Sequence, residues 1–210
     1  MTDNLRIWRK VEKTNPAHTK KVNQRGGFTS ICANYQILAA TEQFGPIGIG
    51  WGYTTGHPII CDTLVMVPVT LWHGSRDNTF GPMIGCDEWK SDKGRIDSDA
   101  PKKAVTDALT KLLSQLGFNA DVFLGRFDDS KYVEAVTREF AEAERAANAP
   151  PPDAKINDKT RDWITDKLTE RQLSAIDLCG FLGVTSLKDL TYGNIDAVKE
   201  WLANPQQKAA

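Results

Sequence analysis

The sequence lacks what membrane insertion, metal binding and nucleotide hydrolysis usually require. No stretch of its 210 residues approaches the roughly 18–20 consecutive apolar residues of a bilayer span, so no membrane association is expected. The opening segment MTDNLRIWRKVEKTN has no apolar core of the kind that directs secretion, which leads us to expect a cytoplasmic protein. Four cysteines occur, Cys32, Cys61, Cys86 and Cys179, and no two form a CxxC pair. Together with three scattered histidines, His18, His57 and His73, they do not give the tight ligand spacing of a zinc site. They read as reduced and mostly buried thiols. The glycine-rich run Gly48-Ile49-Gly50-Trp51-Gly52 is followed by no Lys-Ser/Thr and no helix start, so it is not a phosphate loop. No cofactor and no metal are expected. Paired carboxylates at Asp128-Asp129 and at Asp97/Asp99 read as turn and cap residues; a two-metal nuclease needs acids that converge from separate elements.

Net charge is also scarce, at −1, which excludes a wholly basic nucleic-acid clamp. The charge is segregated, however. Residues 1–30 carry Arg6, Arg9, Lys10, Lys13, Lys20, Lys21 and Arg25 against Asp3 and Glu12. A second basic stretch, Lys90, Lys93, Arg95, Lys102 and Lys103, is interleaved with acids, and further acids gather between Asp128 and Glu144. Such clustering is what a local phosphate-binding surface needs, although an ordinary solvated surface also produces clusters.

What is present reads as an α+β chain. Apolar residues from Tyr35 to Phe44 suit a helix that Gly45-Pro46 stops. In Gly48–Tyr53, alternation places Trp51 and Tyr53 on one face and glycines on the other. Ile59–Trp72 has strand composition, with Pro68 marking an edge or bulge. A turn at His73–Asn78 returns the chain through a strand at Thr79–Trp89. Asp97-Ser98-Asp99-Ala100-Pro101 is a helix start, followed by the amphipathic stripe Val105, Ala108, Leu109, Leu112, Leu113 and Leu116 and a stop at Gly117. The opposite face offers Lys103, Thr106, Thr110 and Ser114, with Lys111 at its border; hydroxyls beside lysines suit phosphate, and equally suit solvent. FNADVFLGRFDDSKY, from Phe118 to Tyr132, reads as an aromatic segment packed on the sheet. A charged helix follows at Glu134–Asn148, and Pro150-Pro151-Pro152 breaks it. Beyond, Thr169–Gln172 reads as a capping box. Leu173, Ile176, Leu178, Phe181 and Leu182 form one apolar face; Ile195, Val198, Trp201 and Leu202 form another.

Residues 25–132 resemble the annealing domain of the Rad-fifty-two superfamily as found in phage recombination proteins. The resemblance lies in GGFTSICANYQILAATEQFGPIGIGWGY, in the strands of Ile59–Trp89, and in KKAVTDALTKLLSQLGFNADVFLG. The order of elements is similar: a Gly-Gly turn, a helix ending in Phe-Gly, a tryptophan soon after, a β-meander, and a helix beginning Ala104-Val105-Thr106-Asp107. The segment ADVFLGRFDDSKYV looks closer still to phage annealing proteins.

This resemblance implies a single-strand annealing core over residues 1–149, built as a β-β-β-α meander packed with helices. A Pro-rich linker at 150–157 and a small helical module at 158–210 follow. It implies ATP-independent binding of single-stranded DNA and annealing of complementary strands in phage recombination and repair. No covalent catalysis is implied, so the chain is not expected to be an enzyme. It also implies homo-oligomers, as rings or filaments, in the cytoplasm of a bacterial host. A companion exonuclease or a host single-strand binding protein would dock on residues 158–210. Lys111 carries over to the family's basic cluster. Thr110 and Ser114 stand where the family has basic residues, and Tyr35 stands where it has arginine. Charge placement adds Lys20, Lys21, Arg25, Lys90, Arg95, Lys102 and Lys103 as candidate DNA contacts. Tyr35 is a candidate to stack a base or a buried helix tyrosine, and Trp51 and Trp89 are candidates for core or protomer interface. The alternative reading is a single-stranded nucleic-acid-binding module that does not anneal.

Overall fold

The computed structural model describes residues 3–23 and 26–205 and shows an α+β chain that divides into two units, Met1–Glu142 and Ala143–Ala210. The division falls inside one helix, upstream of the triproline. No helix among the described residues is long and apolar enough to cross a membrane.

The first unit begins with a single turn, α1 (Trp8–Val11), and a two-stranded hairpin, β1 (Thr19–Val22) and β2 (Phe28–Ile31). Helix α2 (Ala33–Phe44) follows and ends at Gly45, whose φ of 95° supplies the left-handed step expected there. The helix expected from Tyr35 begins two residues earlier, directly after the strand β2.

The meander comes next. β3 (Trp51–Thr55) and β4 (Ile59–Cys61) are two parts of one arm, and both pair antiparallel with β5 (Leu64–His73). β6 (Thr79–Glu88) pairs on the other side of β5. The tract Ile59–Trp72 is thus a hairpin with its turn at Asp62, where φ is 52°. Pro68, expected at an edge or bulge, lies in the central strand, just before a register shift between Val69 and Leu71. Its carbonyl accepts from Gly56 N–H at 2.8 Å, so its ring nitrogen faces the break between β3 and β4, where no ladder donor is lost. Trp51 and Tyr53 share one face of β3 as alternation expects, with Trp51 fully buried and Tyr53 exposed.

Helix α3 (Ala100–Gln115) covers one face of the sheet. Its leucine stripe forms the core with Val65, Val67, Val69, Leu71, Trp51 and Phe118. A second stripe, Ala100, Ala104 and Ala108, is fully buried and meets Gly85 of β6. A Cβ built on Gly85 would stand 1.8 Å from the Ala104 carbonyl oxygen, so only glycine lets this helix and strand lie backbone to backbone. The start of α3 differs in detail from expectation. Asp99 makes no cap bond; instead Asp97 accepts from Asp99 N–H at 2.9 Å.

Short helix α4 (Ala120–Phe123) and long helix α5 (Ser130–Ala147) complete the unit around a buried polar cluster. The Asp121 carboxylate accepts from Thr14 N–H at 2.8 Å, Thr14 Oγ1 at 2.6 Å, Tyr132 Oη at 3.0 Å and Val122 N–H at 2.9 Å. Asn119, at φ 58°, donates to Thr14 Oγ1 at 3.0 Å. Gln36 donates to Asn119 at 3.4 Å and accepts from Thr110 at 2.7 Å. Every buried side-chain polar atom among the described residues finds a partner, which is the condition for a buried network to stabilise rather than weaken a core.

The second unit packs α6 (Asp158–Glu170), α7 (Ala175–Leu182) and α8 (Ile195–Ala203) around Ile156, Ile164, Leu168, Leu178, Leu190, Val198, Trp201 and Leu202. Residues within the expected linker are bonded here: Pro152 and Ala154 carbonyls accept from Gly193 and Tyr192. Thr169 is not a helix start. It closes α6, its hydroxyl bonded to the Thr165 carbonyl, and Ser174 caps α7 instead. Ile176, placed on the apolar face by spacing, is 82% exposed. Three of the four thiols, Cys32, Cys61 and Cys86, are exposed and only Cys179 is buried, contrary to the expectation of buried thiols.

Asp121→Ala leaves Thr14 and Tyr132 donors without partners, and should cost about 3 kcal/mol or more in denaturant unfolding. Burial, and then the bond to Asp121, push the Tyr132 phenol up to about 12. The folded state therefore keeps a proton that the unfolded chain releases near pH 10. Stability from this source is intact below pH 10 and is lost as pH rises toward 12. Tyr132→Phe should flatten the decline of thermal stability across that window.

Candidate nucleic-acid interface

The candidate residues fall into two groups, separated along α3. The first gathers at the start of the helix. Lys102 is bonded to Asp99 at 2.8 Å and Lys103 to Asp97 at 2.5 Å, with Asp87 at 4.0 Å. Both lysines are held above their ordinary range, chiefly by these hydrogen bonds. The same bond from Lys103 depresses Asp97. Arg95 joins Lys103 in lining a cleft of about 600 Å³ whose other charged walls are Glu88, Asp97 and Asp99. Lys90 lies just outside it, bridged through its backbone to Ile96. Cations and acids offset one another here, so the cleft carries little net positive charge.

The second group centres on Lys111, two turns further along α3, about 12 Å from Lys103 by helix rise. Lys111 is exposed, and among the described residues it is in no ion pair. Its Nζ stands 5.5 Å from the centre of the Phe123 ring. Phe123 is 44% and Leu124 63% exposed. These side chains, expected to pack on the sheet, point outward because α4 is a single turn. Asn119, Ala120 and Asp121 commit its inner side to the polar cluster, and Phe118 and Phe127 take the buried aromatic places. Arg126 follows, its guanidinium 5.9 Å over the Tyr132 ring. Lys21 is adjacent, lining a cleft of about 260 Å³ with Phe127, Asp128 and Glu134.

Lys111 and Phe123 stand together over α3 and α4, Arg126 follows in the chain, and Lys21, on the hairpin, lines the cleft beside Phe127. Lys20 is not part of that cleft. Successive strand residues alternate, so Lys20 shares the opposite face of the hairpin with Phe28. Arg25 lies outside the described residues. Tyr35 is committed to structure: its hydroxyl accepts from Asn15 N–H at 3.1 Å, its ring stacks on His18 at 4.4 Å, and burial raises its phenol. The hydroxyls considered for phosphate contact are engaged as well, Thr106 and Ser114 with backbone carbonyls and Thr110 with Gln36. Trp51 and Trp89 belong to the core cluster.

Sequence reasoning missed Phe123, Leu124 and Arg126. The available signal was Asn119 and Asp121, residues that favour turns and helix starts, which mark a short helix with little room for inward side chains.

An exposed ammonium beside an exposed aromatic ring provides the two contacts that hold a single strand irrespective of sequence: charge for a phosphate and a face for a base. No family model matches the chain, and no curated protein is significantly similar to it.

Phe123→Ala should weaken oligonucleotide binding by about 1–3 kcal/mol with an unchanged dependence on salt. Lys111→Ala should instead lower the slope of log K against log salt by about 0.7. Titrations of a labelled oligonucleotide at several salt concentrations separate the two.

Proposed function

We propose that the chain binds single-stranded DNA at Lys111 and Phe123, on a path that continues past Arg126 toward Lys21, and anneals complementary strands without ATP. The observation that carries this reading is the Lys111 ammonium over the exposed Phe123 ring, on a helix packed against a three-armed antiparallel meander. The fold class agrees with the superfamily that residues 25–132 resemble, and Lys111 is the residue that resemblance assigns to the groove. Backbone contacts of this kind are independent of sequence and leave base edges free to test a second strand. Pairing supplies the driving force, so the reaction needs no protein nucleophile, nucleotide or metal. The reading extends to homo-oligomers acting in phage recombination within the host cytoplasm. It also has residues 158–210 receiving a companion exonuclease or host single-strand binding protein.

One observation favours the second reading, a strand-binding module that does not anneal. Lys102 and Lys103 are occupied by acids, which leaves less free positive charge for holding two strands together.

Two complementary oligonucleotides, one carrying a fluorophore and the other a quencher, decide between them at moderate salt without ATP. The annealing reading expects acceleration well above the spontaneous rate. Tight binding of single strands with no acceleration would establish the second reading in its place.

A further inference from the structure

Among the described residues of the first unit, exposed isoleucines and leucines gather at opposite ends of its sheet. One group lies on a loop. Between α2 and β3 the chain makes a tight loop that presents Ile47 and Ile49 outward, Ile49 at 78% exposure. The loop is tied at every point. Pro46 O accepts from Ile49 and Gly50 N–H at 3.0 and 2.8 Å, Gly48 N–H reaches Trp51 O at 2.6 Å, and Gly50 O accepts from Gly74 N–H at 2.8 Å. Arg76 donates to Gly48 O at 3.0 Å while its guanidinium covers Trp72 at 4.3 Å. Two isoleucines held rigidly in water gain nothing for the fold.

The other lies on a face of the sheet. α3 covers the face of the sheet that bears Val65, Val67, Val69 and Leu71. On the uncovered face, strand pairing brings together Ile59, Leu64, Met66, Pro68 and Ile84, with Ile84 at 55% exposure. Cys61 and Cys86, both exposed, sit on this face opposite Leu64 and Met66. The two surfaces are roughly 20 Å apart along β5. Their rims differ in net charge: Arg76, with Asp77 beside it, stands at the loop and Arg6 near His73, whereas Asp62 and Glu88 border the sheet face at Leu64, with Lys90 beyond them.

The geometry points to a head-to-tail contact in which the Ile47/Ile49 loop of one copy seats on the Ile59/Leu64/Ile84 face of a second copy. A partner of different sequence would need only one of these surfaces. A pair of apolar surfaces, one on a loop and one on a sheet face, with rims of opposite net charge at opposite ends of one sheet, is what a chain needs to add to itself repeatedly. Such a contact cannot close on two copies, so it yields rings or open filaments. The inference rests on the proposed self-association and names its surfaces; it does not depend on DNA.

The test uses the full chain in gel filtration with light scattering, with melting curves to confirm that the variants fold. The wild type should run at a multiple of 23.3 kDa. Ile49→Asp and Ile84→Asp should each run at 23.3 kDa, since each removes one half of every contact. Mixed in equal amounts they should form a heterodimer and nothing larger, because each retains the surface that the other has lost. Maleimide labelling of Cys61 and Cys86 should slow as wild-type concentration rises and stay fast in both variants, with Cys32 as the internal standard. A monomeric wild type overturns the inference, as does a variant that assembles normally or a mixture that stays monomeric. If an aspartate variant fails to fold, Ile49→Ser and Ile84→Ser replace it in the same scheme. Failure of the annealing assay with this pattern intact would remove the proposed function and leave the assembly standing.

Discussion

A single buried carboxylate joins the parts of the first unit. Asp121 binds the segment after α1 through Thr14, its own helix through Val122 and the start of α5 through Tyr132. Asn119 and Gln36 carry the connection on to α2 and to Thr110 of α3. Hydrophobic contact alone fixes no orientation among these elements, because it is non-directional. The hydrogen bonds do, since each donor has one acceptor at one angle. The cluster also shapes the surface: with Asn119, Ala120 and Asp121 turned inward, the next turn of α4 must present Phe123 and Leu124 to solvent.

The elements whose signals are local were legible in the sequence. The stop at Gly45, the turn before β6, the leucine stripe of α3 and the break at the triproline each rest on a few adjacent residues. The errors come from long-range partners. Pro68 reads as an edge or bulge residue; it sits in the central strand beside the break between β3 and β4 and next to a register shift. Thr169-Glu170-Arg171-Gln172 has the letters of a capping box, yet α6 runs into it, and Ser174 is free to cap. Ile176 has helical spacing, but the eight-residue α7 lies against its unit on one side only.

The candidate site was half legible. Lys111 was identified by resemblance, and the structure leaves it exposed beside an aromatic ring. Lys102 and Lys103 were chosen by charge, and the same sequence stretch supplies Asp99 and Asp97, which pair with them. Clusters of lysine interleaved with aspartate are self-satisfying when a helix start brings them within a turn. Phe123 could not be found from hydropathy, since an aromatic residue in a compact segment reads as core until the competition for inward places is known.

The seam between Gly85 and Ala104 has a mechanical consequence. A helix seated on a sheet through leucines can roll, because side chains change rotamer to follow it. A helix seated backbone against backbone is keyed. Rolling α3 would drive the Ala104 carbonyl into β6, and shifting it along the strand by one residue would bring a side chain to where only hydrogen fits. The azimuth of everything on the solvent side of α3 is therefore set by the absence of one carbon atom on its buried side. Lys111 takes its bearing from that seam as well as from the Phe123 ring beside it, and a strand passing over that face would meet the charge at the same angle in every copy.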